Sequence, residues 1–135
     1  MPSNSPTGFP VVVGVGSNAP DRTEQIHKAI KMLEEMLEAA VASEVYETIA
    51  ISPEEASPFL NAVVAGVTHK THDEVIAACK AWERQNGRAD AAPGIIPIDL
   101  DVVIYNGKIV RPTDFERSYF NIGYRQLLAQ GAFQY

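Results

Sequence analysis

The chain has 135 residues, of which 46% are hydrophobic and 21% charged, a composition typical of a globular domain with an apolar core and not of a disordered or fibrous chain. The formal net charge of −6 argues against nucleic-acid and anionic-membrane partners, because both require an excess of Lys and Arg. We therefore expect a single domain over residues 1–135. Its oligomeric state stays open, because edge strands can pair between subunits.

The targeting features predict a soluble cytoplasmic protein. Cys79 is the one cysteine, so an internal disulfide is excluded and a reducing compartment is favoured. No apolar run approaches the roughly 20 residues that a membrane-spanning helix needs. Residues 1–7 are polar and lack the charged and apolar regions of a signal peptide.

The first part of the chain predicts a strand followed by a helix. The valine-rich run from Phe9 to Val15 is apolar on both faces, which is typical of a central strand. Asp21 precedes Glu24 by three residues, as in a capping box, and apolar residues then recur at helical spacing. We expect this helix to run from about Arg22 to Ala39.

Two strands and a second helix follow. Residues 41–48 and 59–68 have strand composition and predict a hairpin with a long loop. The capping signature recurs from Thr71 to Glu74, and Asn86 with Gly87 supplies a helix end. A helix between these signals is therefore expected.

The last part predicts a strand, a turn and a weak terminal helix. Residues 88–97 are rich in Ala, Pro and Gly, which is typical of a loop. The strand from Ile98 to Tyr105 ends at Asn106 and Gly107, a turn-forming pair. Residues 124–130 carry a weaker helical pattern. The order β-α-β-β-α-β predicts an α+β, ferredoxin-like fold, an antiparallel sheet with both helices on one face and the other face open.

Two aspartates in the last predicted strand form the main candidate site. Because side chains alternate along a strand, Ile98, Leu100, Val102 and Ile104 are expected in the core, and Asp99, Asp101, Val103 and Tyr105 on the opposite face. The aspartate Cα atoms then lie about 6 to 7 Å apart, close enough to hold a cation between them. From the strand alone, a metal site and a merely polar strand face are both open.

Other motifs are weaker. Gly14 to Asn18 resembles a phosphate-binding turn but lacks the third Gly of a dinucleotide fingerprint and the Gly-Lys-Ser of a P-loop. Asn61 lies within an apolar strand, where its amide either contacts a ligand or bonds to a neighbouring loop. Glu83, Arg84 and Arg88 surround a helix end, and the cations there also complement the helix dipole.

Together these segments resemble the hydroxymethyl-dihydropterin pyrophosphokinases of folate biosynthesis. They occur in that family's order, with similar spacing, over residues 11 to 105. The matching segments are Gly16 to Asn18, Tyr46 to Thr48, Phe59 to Val63, Glu83 with Gly87 and Arg88, and Ile98 to Asp101.

The resemblance implies transfer of pyrophosphate from ATP to 6-hydroxymethyl-dihydropterin, with two Mg²⁺ ions on Asp99 and Asp101. It also implies that Thr48, Phe59, Asn61 and Tyr119 bind the pterin. It further implies that Glu83, Arg88 and Arg117 bind the nucleotide. The catalytic set that it implies is Arg88, Asp99 and Asp101.

The chain also departs from that family. The family has a basic loop before the aspartates, whereas residues 89–97 here contain no positive charge and Ile96 occupies the place of an arginine. The segment from Arg111 to Asp114 lacks the histidine of the family's Pro-His-Pro-like motif. Arg84, Lys108 and Arg111 are the nearest candidates to replace the arginine. Two alternatives follow, namely a degenerate relative that binds pterin or nucleotide without catalysis, and a ferredoxin-like interaction module.

Overall fold

A computed structural model describes residues 8–49, 57–87 and 91–132. Within these ranges the order of strands and helices follows the predicted one with two differences: the strand predicted over residues 41–48 is divided into two, and further elements follow the last predicted strand. The elements are β1 (Phe9–Ser17), α1 (Arg22–Met36), β2 (Glu38–Ala42), β3 (Tyr46–Thr48), β4 (Phe59–Thr68), α2 (His72–Gln85), β5 (Asp99–Tyr105), β6 (Lys108–Ile109), α3 (Pro112–Glu116) and α4 (Ser118–Ala129).

The strands form one antiparallel sheet in the order β2-β4-β1-β5-β6, with β3 also paired to β4. The predicted α+β fold with an antiparallel sheet is confirmed, and so is the central position of β1. Val11, Val12 and Val13 in β1 are all fully buried, because both faces of this strand are covered. None of the helices in the described ranges is long and apolar enough to cross a membrane.

Helices lie on both faces of the sheet. On the first face, α1 and α2 pack against alternate residues of the central strands through Ile26, Leu33 and Val75. On the second face, Phe120 and Leu127 of α4 pack against Val12 and Val63. The expectation of an open second face was therefore wrong.

Helix α4 begins six residues before the predicted terminal helix and packs closely on β4. Phe120, Gly123 and Leu127 are its buried residues, and their spacing of three and four brings them to one side of the helix. A Cβ atom at Gly123 would lie only 2.7 Å from Cγ2 of Val63. The absence of a side chain there permits the close approach of helix and strand.

Helix boundaries differ from the prediction where the backbone changes direction. α1 ends at Met36, and Ala39 adopts a positive φ of 51° next to a register shift in β2. That conformation is incompatible with a continuing right-handed helix. The predicted capping box is present at Thr71 and Glu74, but Asp21 makes no side-chain capping bond to α1.

An irregularity in β5 changes which residues face each side. The register between β1 and β5 shifts between Val12 and Val13, which is the signature of a β-bulge. Ile104 consequently joins the cluster on the second face, and Tyr105 packs on the first. The predicted faces of these two residues were wrong, whereas those of Leu100 and Val102 were right.

Glu83 connects α2 to β5. Its buried carboxylate accepts a hydrogen bond from the Leu100 N–H at 2.7 Å. On this edge of β5, strand β6 pairs only with Ile104 and Tyr105. The Glu83 side chain therefore satisfies a backbone donor that the sheet leaves unpaired.

We expect Glu83→Ala to lower the free energy of unfolding by about 2 kcal/mol or more, because it leaves the buried Leu100 N–H without an acceptor and opens a cavity. Glu83→Gln should lose less, since the amide oxygen can still accept. Urea denaturation measures both changes. The exposed Glu116 is the control, and Glu116→Ala should change the free energy of unfolding by less than about 0.5 kcal/mol. Equal losses at the two positions would contradict the stabilising role of the Glu83 contact with Leu100.

Candidate functional site

A cavity of about 310 Å³ opens on the second face of the sheet. Its floor comes from β1, β4 and β5, and its walls come from residues near β3, from Ile96 and from the α3–α4 segment. A volume of this size falls within the range of about 300 to 1,000 Å³ typical of small-molecule sites. The cavity therefore has room for a heterocycle or a nucleotide phosphate chain.

The sheet register assembles the floor of the cavity. Gly16 pairs with Asn61 on one side and with Asp99 on the other, and Gly14 pairs with Asp101. Residues opposite each other in antiparallel strands share a face, so the polar side chains converge on one surface. Because Gly14 and Gly16 have no side chains, neither projects from the floor into the cavity. A Cβ at Gly16 would lie 3.3 Å from the Asn61 Oδ1 atom.

Asp99 and Asp101 concentrate negative charge at one end of the cavity. Burial, the charge of Asp99 and a hydrogen bond between the two side chains raise the pKa of Asp101 to about 7, against the opposing effect of Arg111. The Asp101 side chain is only 17% exposed. The pair therefore concentrates negative charge at a shielded position, which is suited to receive a cation.

The pair fits magnesium that arrives with a phosphate ligand. Within the described ranges, no three His, Cys, Asp or Glu side chains form a metal-binding group, so the protein offers no complete cage there. Mg²⁺ commonly takes only one or two protein carboxylates and completes its shell with phosphate oxygens and water. Two neighbouring carboxylates in a cavity satisfy that requirement.

Asn61 lies at the other end of the floor. It is buried, and its Nδ2 atom donates to Oγ1 of Thr48 at 2.7 Å. In the described part of the chain no donor reaches its Oδ1 atom. This leaves the Oδ1 atom as an acceptor on the cavity floor, which a ligand N–H can satisfy.

Aromatic side chains flank this polar floor. Phe59 and Tyr119 both line the cavity. The hydroxyl of Tyr46 donates to the backbone carbonyl of Tyr119 at 2.6 Å and fixes the start of α4 beside β3. Burial raises the pKa of Tyr46 to about 12, so this hydroxyl remains a donor at neutral pH.

The structure brings together most of the residues singled out in the sequence. The ones that line this single cavity are Thr48, Phe59, Asn61, Asp99, Asp101, Arg117 and Tyr119. Their individual ligands remain predictions. Glu83 lies instead in the buried interface of α2 and β5, and its nucleotide contact stays a prediction. Arg88 lies outside the described residues.

Sequence reasoning missed Asp114, which also lines the cavity, and named Arg111 only as a possible substitute. The two residues are three apart, and Arg111 Nε donates to the Asp114 carboxylate. The signal in the sequence was an arginine and an aspartate three residues apart around Pro112, at the start of α3. The surrounding sequence has little periodicity, so this pair was not recognised as part of the site.

The raised pKa of Asp101 makes stability depend on pH. A carboxyl whose pKa is higher in the folded protein than in the unfolded chain stabilises the fold when it is protonated. Its contribution to the free energy of unfolding is therefore complete below about pH 4 and is lost as the pH rises to about 7. We expect Asp101→Asn to be more stable than wild type by about 2 kcal/mol at pH 8, with little gain at pH 4. Urea denaturation across this range checks the trend.

Asp21→Asn is the control, because Asp21 is an exposed aspartate far from the pair in sequence. It should show no comparable difference between pH 4 and pH 8. A gain from Asp101→Asn that is the same at both pH values would show that the carboxyl charge is not its cause.

Comparison with known proteins agrees with this geometry. The model of the family described as 7,8-dihydro-6-hydroxymethylpterin-pyrophosphokinase matches residues 12–128. A protein of Aquifex aeolicus named 2-amino-4-hydroxy-6-hydroxymethyldihydropteridine pyrophosphokinase is 37% identical over 102 residues, which are 75% of this chain and 64% of that protein. A protein of the same name from Porphyromonas gingivalis is 32% identical over 71% of this chain and 69% of its own length.

A third relative is longer. The mitochondrial folate synthesis bifunctional protein of Arabidopsis thaliana is 31% identical over 84% of this chain, but the match spans only 22% of that protein. The chain thus covers less than two thirds of the Aquifex and Arabidopsis proteins. The family match nevertheless spans most of the chain, including every described strand of the cavity floor, and the chain belongs to the 7,8-dihydro-6-hydroxymethylpterin-pyrophosphokinase family.

Proposed function

We propose that this protein transfers the pyrophosphoryl group of ATP to the hydroxymethyl oxygen of 6-hydroxymethyl-dihydropterin in folate biosynthesis. A bond forms between the pterin oxygen and the β-phosphorus, the bond between the β-phosphorus and the bridging oxygen of AMP breaks, and the hydroxyl proton is released. One observation carries the proposal: the register of β1 places Asn61 and Asp99 on either side of Gly16, and Asp101 beside Gly14, on one cavity floor.

The Asn61 end suits a flat heterocycle that offers hydrogen-bond donors. Asn61 is a buried residue whose Oδ1 is an acceptor at the cavity surface and whose Nδ2 donates to Thr48. The amide is therefore fixed in one orientation before a ligand arrives. Phe59 and Tyr119 line the same end, and aromatic faces favour stacking on a planar ring. In this arrangement the pterin edge meets Asn61 and its ring lies between the two aromatic residues.

The Asp99 and Asp101 end suits the phosphate chain. We assign the carboxylates to two Mg²⁺ ions that enter with ATP, because hard cations prefer carboxylate and phosphate oxygens. When bound, magnesium neutralises phosphate charge and supports the loosening bond to AMP. Arg117 lines this cavity and supplies a planar donor group suited to phosphate oxygens.

A non-catalytic relative is the second candidate. Residues 91–97 bring no positive charge to the site, and arginines that stabilise phosphoryl-transfer charge can contribute about 10³ to 10⁵ in rate. Such a relative would bind the pterin or the nucleotide but release no AMP. The discriminating measurement is therefore AMP production.

We also propose that residues 1–135 act as one domain in the cytoplasm. The family match over residues 12–128 favours one functional unit. Cys79 is a buried free thiol, which fits a reducing compartment.

Incubation with ATP, Mg²⁺ and 6-hydroxymethyl-dihydropterin should yield AMP and the pterin diphosphate in equal amounts. Asp99→Asn combined with Asp101→Asn should reduce this turnover at least about 10³-fold, because the metal ligands are then lost. Chromatographic quantification of AMP measures both. Binding of pterin and ATP without AMP release from wild type would favour the non-catalytic relative, and full turnover by the double variant would rule out the metal role.

Asn61→Ala should raise the KM for the pterin about 10- to 100-fold, since the pterin edge loses its fixed amide. The KM for ATP should change less than about twofold. Initial-rate kinetics with each substrate varied separately test this split. Asn86→Ala is the control, because the Asn86 amide donates to the Trp82 carbonyl at the end of α2 and lies outside the cavity lining. This variant should leave both KM values unchanged. An equal rise in both KM values for Asn61→Ala would contradict the assignment of Asn61 to the pterin.

A further inference from the structure

We propose that Arg111 binds the phosphate groups of the nucleotide and that Asp114 is the positioning residue that holds Arg111 for this purpose. The proposal rests on the proposed function, because it adds a residue to the phosphate end of the same cavity. It also names the source of positive charge that the neutral loop before β5 does not supply.

The wall formed by residues 94–96 is neutral and fixed. The Asn18 side chain donates to the Gly94 carbonyl at 2.9 Å and accepts from the Ile96 N–H. The Asn18 backbone N–H donates to the Ile96 carbonyl at 3.1 Å. Asn18 is itself buried, and residues 91–97 are all uncharged, so this wall presents Ile96 rather than a cation to the cavity.

The opposite wall carries positive charge. Among the described residues that line the cavity, the cationic ones are Arg111 and Arg117. Arg111 Nη2 lies 3.7 Å from Oδ1 of Asp101, which is beyond hydrogen-bond length. The guanidinium is therefore drawn toward the carboxylate pair without being bonded to it, and this side chain is half exposed.

Asp114 holds this guanidinium by one nitrogen only. One carboxylate oxygen of Asp114 accepts from Arg111 Nε, and the other accepts from the Tyr119 hydroxyl. The Asp114 side chain is 14% exposed, so the pair is shielded from water on that side. An arginine has five N–H donors, and the Nη donors remain for a ligand in the cavity.

Phosphate is the ligand class that this geometry favours. Asp99 and Asp101 repel an anion unless cations intervene, and a planar arginine fork binds phosphate oxygens in pairs. With its Nε held by Asp114, Arg111 loses less conformational entropy on binding than a free arginine. The competing interpretation is that Arg111 only offsets the charge of Asp101, in which case phosphate binding does not need it.

The test measures binding of inorganic tripolyphosphate in the presence of Mg²⁺ by calorimetry, together with α,β-methylene ATP and the pterin. Arg111→Met should weaken tripolyphosphate and nucleotide binding about 10- to 100-fold and leave pterin binding unchanged. Arg111→Lys should fall between wild type and Arg111→Met, because it keeps the charge but loses the fork. Arg125→Met, at an exposed position of α4 outside the cavity lining, is the charge-matched control and should bind as wild type does.

The positioning role of Asp114 is tested by a double-mutant cycle. Asp114→Ala should weaken tripolyphosphate binding when Arg111 is present and have no further effect in the Arg111→Met background. A purely structural role would weaken binding equally in both backgrounds and would overturn this part of the proposal. Circular dichroism and thermal unfolding confirm that the variants are folded.

The outcomes separate this proposal from the proposed function. If wild type and Arg111→Met bind tripolyphosphate equally, or if the variant binds it more tightly, the Arg111 assignment is wrong although the transfer reaction can still stand. If wild type binds tripolyphosphate through Arg111 but neither binds pterin nor releases AMP, the phosphate site stands and the proposed function fails. If wild type does not bind tripolyphosphate or nucleotide, the Arg111 assignment is overturned.

Discussion

The antiparallel register of β1 between β4 and β5 is the constraint on which the site depends. It sets Gly16 between Asn61 and Asp99, and Gly14 beside Asp101. Because side chains alternate along the paired segments that form the floor, a shift of one residue there would turn the polar side chains toward α1 and α2. The valine-rich burial of β1 on both faces opposes such a shift, so the packing of the core also maintains the site.

Two carboxylates lie close together in a partly buried position at one end of the cavity. Burial and the charge of Asp99 raise the pKa of Asp101 to about 7, which indicates that holding the two carboxylates together has an electrostatic cost. Arg111 offsets part of this charge from 3.7 Å. Natural proteins tolerate such local cost at functional sites, and a cation bound between the two carboxylates would relieve it.

The segment after β5 turns a sheet face into a cavity. α4 covers one part of the second face, α3 brings Arg111 and Asp114 beside β5, and the carboxylate of Asp114 joins Arg111 to Tyr119. Asn18 fixes the facing wall through Gly94 and Ile96. The cavity is thus shaped by loops and short helices, while its floor is rigid sheet.

The amino-acid sequence by itself determined the central strand, the first two helices and the polar residues of the floor. The valine-rich run, the Thr71 capping box and the isolated polar residues in apolar strands are local signals. Only the tertiary structure decided the faces of Ile104 and Tyr105, the cover that α4 provides, and the partners of Asp114. Those features depend on a β-bulge, on the close approach at Gly123 and on contacts between separate elements. Such contacts are set by packing in three dimensions and leave little periodic trace along the chain.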